Sequence, residues 1–209
     1  MERSLGEVIS KLENLFSVFN EHFYEGQLEK PVIMVSPDIT SCGAFGWCTS
    51  WKAWKESDQA AEDEGFYEIN LTAEYLKRPF DEICETLLHE MVHLFNLYAD
   101  VQDTSRSGTY HNKRFKDEAE KRGLVITKSP KYGWALTSLN EEGKQMIGQL
   151  DADQFGFFRQ PIPPTLKKKK GQGSSSRKYV CPGCGCIIRA TKEVHVVCGD
   201  CDMDFEIQE

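Results

Sequence analysis

Apolar residues in the first 24 positions recur at steps of three and four. They are Leu5, Val8, Ile9, Leu12, Leu15, Phe16, Phe19 and Phe23. This spacing places them on one face of an α-helix. The pattern predicts an amphipathic first helix whose apolar face packs on a core.

A second helix is predicted from about Phe80 to Tyr98, with apolar residues nearly all round its surface. Pro79 can stand just before or in the first turn of such a helix. A helix that is apolar on almost all sides is typical of a buried one. His89, Glu90 and His93 interrupt this apolar run, although burying polar groups without partners is costly.

The remaining pattern predicts an α+β fold, with the two long helices packed on a small β-sheet. The predicted short strands are "VIMVS" (32–36), "FGWCT" (45–49), "YEINL" (67–71), "LVITKS" (124–129) and "YGWALTSL" (132–139). Residues 55–65 and 100–110 have the composition of loops. A polar helix is expected at 112–123, and Ser138 and Glu141 have capping-box spacing before a last helix that ends near Leu150.

Composition and charge divide the chain near residue 165. The stretch "PIPPTLKKKKGQGSSSRK" combines Pro, Lys, Gly and Ser, as linkers do. We therefore predict a domain at 1–160, a basic linker at 161–178 and a small module at 179–209. The net charge is −8, but all eight Lys and Arg residues after 160 lie between Lys167 and Lys192, where there is no acidic residue.

The start of the chain, "MERSLGEVIS", is not followed by an apolar run, so no secretory signal is expected. No stretch is long and apolar enough for a membrane span. We expect a cytoplasmic protein, with association to the nucleoid as an option. In that compartment cysteines stay reduced, so paired CxxC motifs favour metal binding over disulfides.

The second helix carries the candidate catalytic chemistry. His89 and His93 are four residues apart and share one helical face, so both imidazoles can bind one metal ion. Glu90 can contact a metal-bound water without binding the metal. A third ligand is needed, and the candidates are His111 and a carboxylate such as Glu118. We favour His111 because imidazole suits zinc.

The motifs "LLHEMVHLFN", "DTSRSGTYHNKRFKDEAEKRGL" and "YGWALTSL" resemble the SprT-like family of zinc metallopeptidases, over roughly Leu12 to Leu150. The resemblance implies a zincin-like catalytic domain with His89, His93 and His111 as zinc ligands and Glu90 as the general base. Relatives in this family include the Spartan proteases, which degrade DNA–protein crosslinks.

Other candidates for the reaction are less specific. Tyr110, Tyr132 and, more weakly, Arg106 could donate a hydrogen bond to the oxyanion, although packing roles suit them as well. The segment "FGWCT" could be an edge strand that pairs with the substrate backbone, or its aromatics could belong to the core.

Two CxxC pairs near the end of the chain predict a zinc ribbon. Cys181 with Cys184 and Cys198 with Cys201 can supply four thiolates, which form a closed, structural zinc site. The segments "IIRAT" and "VHVV" between them suit a hairpin, and Cys186 is left over. The other cysteines, Cys42, Cys48 and Cys84, lack metal-binding spacing and are expected to be buried, inert thiols. Bacterial SprT-type proteins carry a similar ribbon.

The sequence therefore favours a zinc metalloendopeptidase that acts on proteins on or near DNA. Lys167 to Lys192, including "KKKK", Arg189 and Lys192, could contact phosphates, or the lysine run could serve solubility alone. The alternatives are a non-catalytic, nucleic-acid-binding adaptor that uses the ribbon, and a zinc peptide hydrolase with a narrower substrate range.

Overall fold

A computed structural model describes residues 4–38, 43–57, 64–150, 155–163 and 176–208. The chain divides into two compact units, 1–160 and 161–209. None of the helices in the described ranges has the length and apolar character that crossing a bilayer requires. Cys42 and the lysine run at 167–170 lie outside the described residues.

Within its described residues, the first unit contains four helices and seven strands, with an additional 3-10 turn at Ala73–Tyr75. The helices are α1 (Leu5–Tyr24), α2 (Phe80–Tyr98), α3 (Lys113–Ala119) and α4 (Glu141–Ile147). The strands are β1 (Val32–Ser36), β2 (Gly46–Cys48), β3 (Glu68–Thr72), β4 (Thr104–Ser105), β5 (Tyr110–His111), β6 (Leu124–Ser129) and β7 (Gly133–Leu139). The α+β fold class predicted from the sequence is confirmed.

The two long helices form the centre of the core, as their patterns predict. A capping box begins α1, with the Ser4 side chain accepting from the Glu7 backbone N–H and the Glu7 side chain accepting from that of Ser4. The predicted apolar face of α1 is buried through Leu12, Phe16 and Phe19. These side chains join one hydrophobic cluster with the buried residues of α2 and both sheets of the unit.

The first sheet places a free edge next to α2. Its strand order is β1-β3-β2, in which β3 pairs parallel with β1 and antiparallel with β2. Ile69 and Leu71 of β3 point into the core. Since β2 is an outer strand of this sheet, one side of its backbone is not paired within the sheet.

The second sheet contains two strands that the sequence did not predict. Its order is β4-β5-β7-β6, and β4 and β5 form a hairpin that covers part of the predicted loop at 100–110 and the next residue, His111. Each of these strands has two residues, which is too short for an alternating pattern to be recognised. A second correction concerns α4, which is capped by Asn140 and not by Ser138, because Ser138 belongs to β7.

The part of the second unit that the structure describes contains five short strands. They are β8 (Arg177–Val180), β9 (Ile187–Ala190), β10 (Val197–Cys198), β11 (Met203–Asp204) and β12 (Glu206–Gln208). β8 begins within the range that was predicted to be linker. The predicted hairpin of "IIRAT" with "VHVV" is wrong, because β9 pairs with β8 and β10 pairs with β11.

Candidate metal centre

Three imidazoles meet at one point of the first unit. His89 and His93 are one turn apart on α2, and His111 is on β5. The Nε2 atom of His111 lies 3.1 Å from Nε2 of His89 and 3.1 Å from Nε2 of His93. The three residues form one of the two groups in the described chain that could hold a metal ion.

The local structure around β5 explains why His111 lies next to α2. The Asn112 side chain accepts hydrogen bonds from the backbone N–H groups of Arg114 and Phe115, so the chain turns into α3 directly after His111. Phe115 is fully buried, and its ring centroid lies 4.5, 4.6 and 4.7 Å from those of His89, His93 and His111. One aromatic ring thus supports all three imidazoles.

The other ring nitrogens have different surroundings. Nδ1 of His89 lies 2.7 Å from the Thr137 hydroxyl oxygen, and Nδ1 of His93 lies 2.7 Å from Oδ2 of Asp103. Nδ1 of His111 is buried and makes no hydrogen bond of good geometry among the described residues, although the neutral Tyr132 backbone acts on this imidazole and partly offsets the lowering of its pKa. With two Nδ1 atoms bound to oxygen, the Nε2 atoms of His89 and His93 are left for a metal ion.

Burial and neighbours shift the pKa values of these groups. Burial lowers the pKa of His89 well below its usual value and lowers that of His111 to about 4, with the neighbouring imidazoles adding to the effect. Burial also acts to lower the pKa of His93, but the hydrogen bond and charge of Asp103 outweigh it and raise that pKa. His89 and His111 are therefore neutral at physiological pH, as metal ligands must be.

Glu90 lies on α2 between the two histidines and is buried, with 5% of its surface exposed. Burial raises the pKa of Glu90 to about 7, although the nearby His93 and a hydrogen bond from the Cys48 backbone N–H both lower it. β2 approaches the Glu90 side chain closely, since a Cβ atom on Gly46 would lie 3.3 Å from its Cγ atom. The carboxylate is thus held between α2 and the edge strand.

The free edge of β2 runs directly past Glu90. Backbone groups of Phe45 and Thr49 bond to β3. Because the bonding direction alternates along an antiparallel strand, the backbone groups of Gly46 and Cys48 point to the other side. "FGWCT" therefore contains an edge strand, which is one of the two alternatives that the sequence left open.

The structure places the other sequence candidates in different surroundings. The Glu118 carboxylate bonds to Lys121 at 2.9 Å and to Arg122 at 2.7 Å, so it is occupied by two cations.

The candidates for the oxyanion donor are Tyr110, Arg106 and Tyr132. Tyr110 precedes His111 on a strand, and successive side chains of a strand point to opposite faces. The Tyr110 ring therefore points away from the imidazoles, and the Arg106 guanidinium lies 4.7 Å from its centroid. Tyr132 is 40% exposed.

Asp103, Thr137 and Phe115 are parts of this site that sequence reasoning missed. Asp103 and Thr137 were part of a predicted loop and a predicted strand, and Phe115 was part of a predicted polar helix. No spacing rule links these residues to the histidines. Phe115 is an apolar residue in a polar helix, which was the available signal for a contact with the core.

Four thiols of the second unit form the other candidate metal group. The group consists of Cys181, Cys184, Cys198 and Cys201. Its Sγ atoms include a pair, on Cys184 and Cys198, that are 3.7 Å apart. Cys186 is exposed and is not a member of the group. Four thiolates at these spacings are the donor set of a closed zinc site.

The histidine group also fits a zinc ion. Zinc with Zn–N bonds of about 2.0–2.1 Å in a tetrahedral arrangement requires nitrogen atoms about 3.3 Å apart. The two 3.1 Å separations between Nε2 atoms are close to that value. An HExxH helix with a third imidazole is the donor set of the zinc metallopeptidase class.

Comparison with known proteins places the chain in a family within this class. The model of the SprT-like family matches residues 12–131, which is more than half of the chain, and the chain belongs to that family. The resemblance seen in the sequence is thereby confirmed.

Named relatives match a part of the chain. The DNA-dependent metalloprotease SPRTN of Bos taurus is 36% identical over 98 residues, which are 46% of this chain and 18% of that protein. SPRTN of Mus musculus and of Homo sapiens have the same identity over 98 residues, which are 17% of each protein. The chain thus spans less than a fifth of the length of these relatives. No solved structure matches the chain.

Proposed function

We propose that this chain is a zinc-dependent metalloendopeptidase that cleaves proteins on or near DNA. Residues 1–160 are its SprT-like catalytic domain, 161–178 its linker and 179–209 its zinc ribbon. The observation that carries the proposal is the convergence of three imidazole Nε2 atoms next to Glu90, at the free edge of β2.

His89, His93 and His111 hold the catalytic zinc ion in this proposal. Zinc, when bound there, supplies a Lewis acid that lowers the pKa of a water molecule and polarises the scissile carbonyl. Cys181, Cys184, Cys198 and Cys201 hold a second, structural zinc ion, because four protein ligands leave no open position for a substrate.

Glu90 is the general base. Its carboxylate accepts a proton from the attacking water and then donates that proton to the leaving amine. A base of this kind works best when its pKa is close to the working pH, and burial raises that of Glu90 to about 7. The Cys48 backbone N–H faces the carboxylate and favours its charged form, which partly offsets the effect of burial on the pKa.

The substrate backbone pairs with β2. Gly46 directs its N–H and carbonyl, and Cys48 its carbonyl, to the outer side of the strand, so an extended peptide can add a strand there. A peptide bound in this way lies beside Glu90, because the Cys48 N–H already faces that carboxylate. Recognition through main-chain groups allows cleavage of many sequences.

DNA contact is assigned to the second unit, which carries the basic residues of the chain's end. Lys178 and Arg189 are direct partners on β8 and β9. Like charges in this position repel each other, and a phosphate group between them would relieve the repulsion. Their present partners are neutral, since Lys178 donates to Gln208 at 2.9 Å and Arg189 donates to Ser176 at 3.5 Å.

The catalytic part of the proposal is tested with Glu90→Gln. The variant should retain its metal and lose cleavage of a DNA-bound protein by about 100-fold or more, since general base catalysis contributes at least that factor. Glu82→Gln is the control, because Glu82 lies on the same helix outside the histidine site and its side chain is 45% exposed. Full activity of Glu90→Gln would refute the mechanism. Cleavage of short peptides but not of proteins would favour the narrower peptide hydrolase.

The DNA part is tested with the double variant Lys178→Gln/Arg189→Gln. We expect weaker binding of single-stranded DNA and less DNA stimulation of cleavage, with unchanged cleavage of a short peptide. Arg177→Gln is the control, because Arg177 is on the opposite face of β8. DNA binding without cleavage of any protein by the wild-type chain would favour the adaptor.

A further inference from the structure

Asp103 is a buried carboxylate beside the histidine site, with 8% of its surface exposed. Its Oδ2 atom lies 2.7 Å from Nδ1 of His93 and accepts a hydrogen bond of 3.0 Å from the Asn96 side chain. His93 and Asn96 are three residues apart on α2. One carboxylate oxygen therefore joins two positions of the helix that carries the HExxH motif.

The backbone of Asp103 connects this helix to the third histidine. The Asp103 carbonyl accepts a hydrogen bond of 2.9 Å from the backbone N–H of Asn112, the residue that follows His111. The preceding carbonyl, of Gln102, accepts another of 2.9 Å from the Asn112 side chain. Asp103 thus contacts His93 through its side chain. Its backbone carbonyl is hydrogen-bonded to Asn112, which follows His111 in the chain.

The three histidines differ in what supports them. His93 has a carboxylate, His89 has the neutral hydroxyl of Thr137, and His111 has the neutral Tyr132 backbone near its ring but no hydrogen bond of good geometry at Nδ1 among the described residues. Hydrogen bonds to charged groups are stronger than those between neutral groups. Of these contacts, the one made by Asp103 should therefore orient its imidazole most firmly.

We infer that Asp103 is a positioning residue that sets the metal affinity of the histidine site. Its side chain fixes the ring of His93, and its backbone holds the segment that carries His111 against α2. The inference rests on the proposed function, because it takes the three histidines to be metal ligands.

The physical basis is the orientation of the ligand before the metal binds. A carboxylate that accepts from Nδ1–H fixes the tautomer with a free Nε2 lone pair and makes that nitrogen a better donor. Without the carboxylate, the ring must be ordered when the metal binds, which weakens affinity. Removal of such a partner typically reduces metal affinity by about 10- to 100-fold.

The test measures the zinc affinity of the full chain by competition with a chelator of known affinity. Asp103→Asn keeps the size of the side chain and removes its charge, and it should weaken zinc binding at the histidine site by about 10-fold. Asp103→Ala also removes the acceptor and should approach the loss of about 100-fold. Thr137→Val should weaken binding less than either.

The chain provides its own references for this experiment. Zinc at the four-cysteine group should be released at the same chelator concentration in every variant. Asp100→Asn is the matched control, because Asp100 is exposed in the same loop and should leave both affinities unchanged. Melting of the metal-free variants shows whether the fold is intact, and a role limited to folding would change that melting and not the zinc affinity.

The outcomes separate this inference from the proposed function. Wild-type affinity in both Asp103→Asn and Asp103→Ala would overturn the inference while leaving the metal site in place. If wild-type protein binds no zinc at the histidines, the proposed function fails and the inference fails with it. Weaker binding confined to the histidine site would support both.

Discussion

Gly133 allows β7 to lie directly against the strand that carries His111. Its φ angle is 73°, which a residue with a side chain rarely adopts. A Cβ atom at Gly133 would lie 2.2 Å from the His111 carbonyl oxygen and 2.8 Å from the Tyr110 ring. The position of the third histidine therefore depends on the absence of one side chain.

Gly133→Ala should lower the free energy of unfolding by about 3 kcal/mol, because left-handed strain and overpacking both apply. Gly108→Ala is the matched control. Gly108 also has a positive φ, of 82°, but a Cβ atom there would meet no described residue within 4 Å. Gly108→Ala should lower the free energy of unfolding by about 1 kcal/mol, from strain alone. Urea unfolding measures both, and equal losses would contradict the close contact.

At the scale of residues, the sequence predicted the groups that lie close together along the helix. His89, Glu90 and His93 follow from spacing, since one helical turn places the histidines together. Asp103 and Thr137 could not be predicted, because their contacts with the imidazoles depend on the folding of a loop and a strand. The structure brings His111 to the site and leaves Glu118 with two cations.

At the scale of elements, α3 depends on an ion pair cluster at its end. Glu118 bonds to Lys121 and Arg122, and the Arg122 guanidinium lies 4.6 Å from the Tyr24 ring centroid and 4.5 Å from that of Phe95. Burial acts to raise the pKa of Glu118, but the hydrogen bonds from the two cations outweigh it and lower that pKa below its usual value.

This shift predicts a pH dependence of stability. Because the folded pKa is below the unfolded one, Glu118 stabilises the fold above the unfolded pKa, and the effect is lost as pH falls through the folded pKa. Glu118→Gln should therefore be less stable than wild type at neutral pH, and the gap should narrow below about pH 4.

Unfolding by urea at several pH values measures the gap. Glu120→Gln is the control, since Glu120 forms an i,i+4 ion pair with Lys116 on the same segment and is more exposed. Pairs of this kind contribute little, so this variant should follow the wild-type curve. A gap between Glu118→Gln and wild type that stays constant with pH would contradict the ionic role of Glu118.

Long helices could be predicted from the sequence, whereas strands of two residues could not. The helices α1 and α2 have 20 and 19 residues, so their apolar patterns repeat over several turns. β4 and β5 have two residues each, and no periodic pattern is visible over that length. β5 carries His111, so a short strand that the sequence did not predict holds a candidate ligand.

At the scale of the whole molecule, each unit has its own means of stabilisation. The hydrophobic cluster of the first unit contains buried residues from Val8 to Phe155. In the second unit, the buried residues with apolar or thiol side chains are Tyr179, Cys181 and Cys198, within the part that the structure describes. We therefore expect this unit to need a metal ion at its four thiols in order to fold.

Cys198→Ser should therefore release one metal ion and unfold the second unit while the first unit remains folded. Limited proteolysis should then cut within 176–208 and leave the first unit intact. Cys186→Ser is the control, because Cys186 is exposed and outside the four-thiol group. A protease-resistant second unit in Cys198→Ser would contradict the structural role of the metal.

The sequence predicted the α+β class and the four ribbon thiols, but it did not predict the strand pairing of the second unit. The spacing of the two CxxC motifs indicates which residues can bind the same metal ion. Pairing of strands with two to four residues depends instead on hydrogen bonds between distant parts of the chain, as between Tyr179 and Ile207. Short apolar segments carry little information on that choice.

The most direct test of the account is the zinc content of wild type and His111→Ala, with cleavage of a DNA-bound protein followed in the same samples. Mass spectrometry should find about two zinc ions per wild-type chain and about one in the variant, with cleavage lost, since the variant retains the ribbon thiols but lacks a complete histidine site. Two ions in both proteins with equal cleavage would remove His111 from the site and contradict the account.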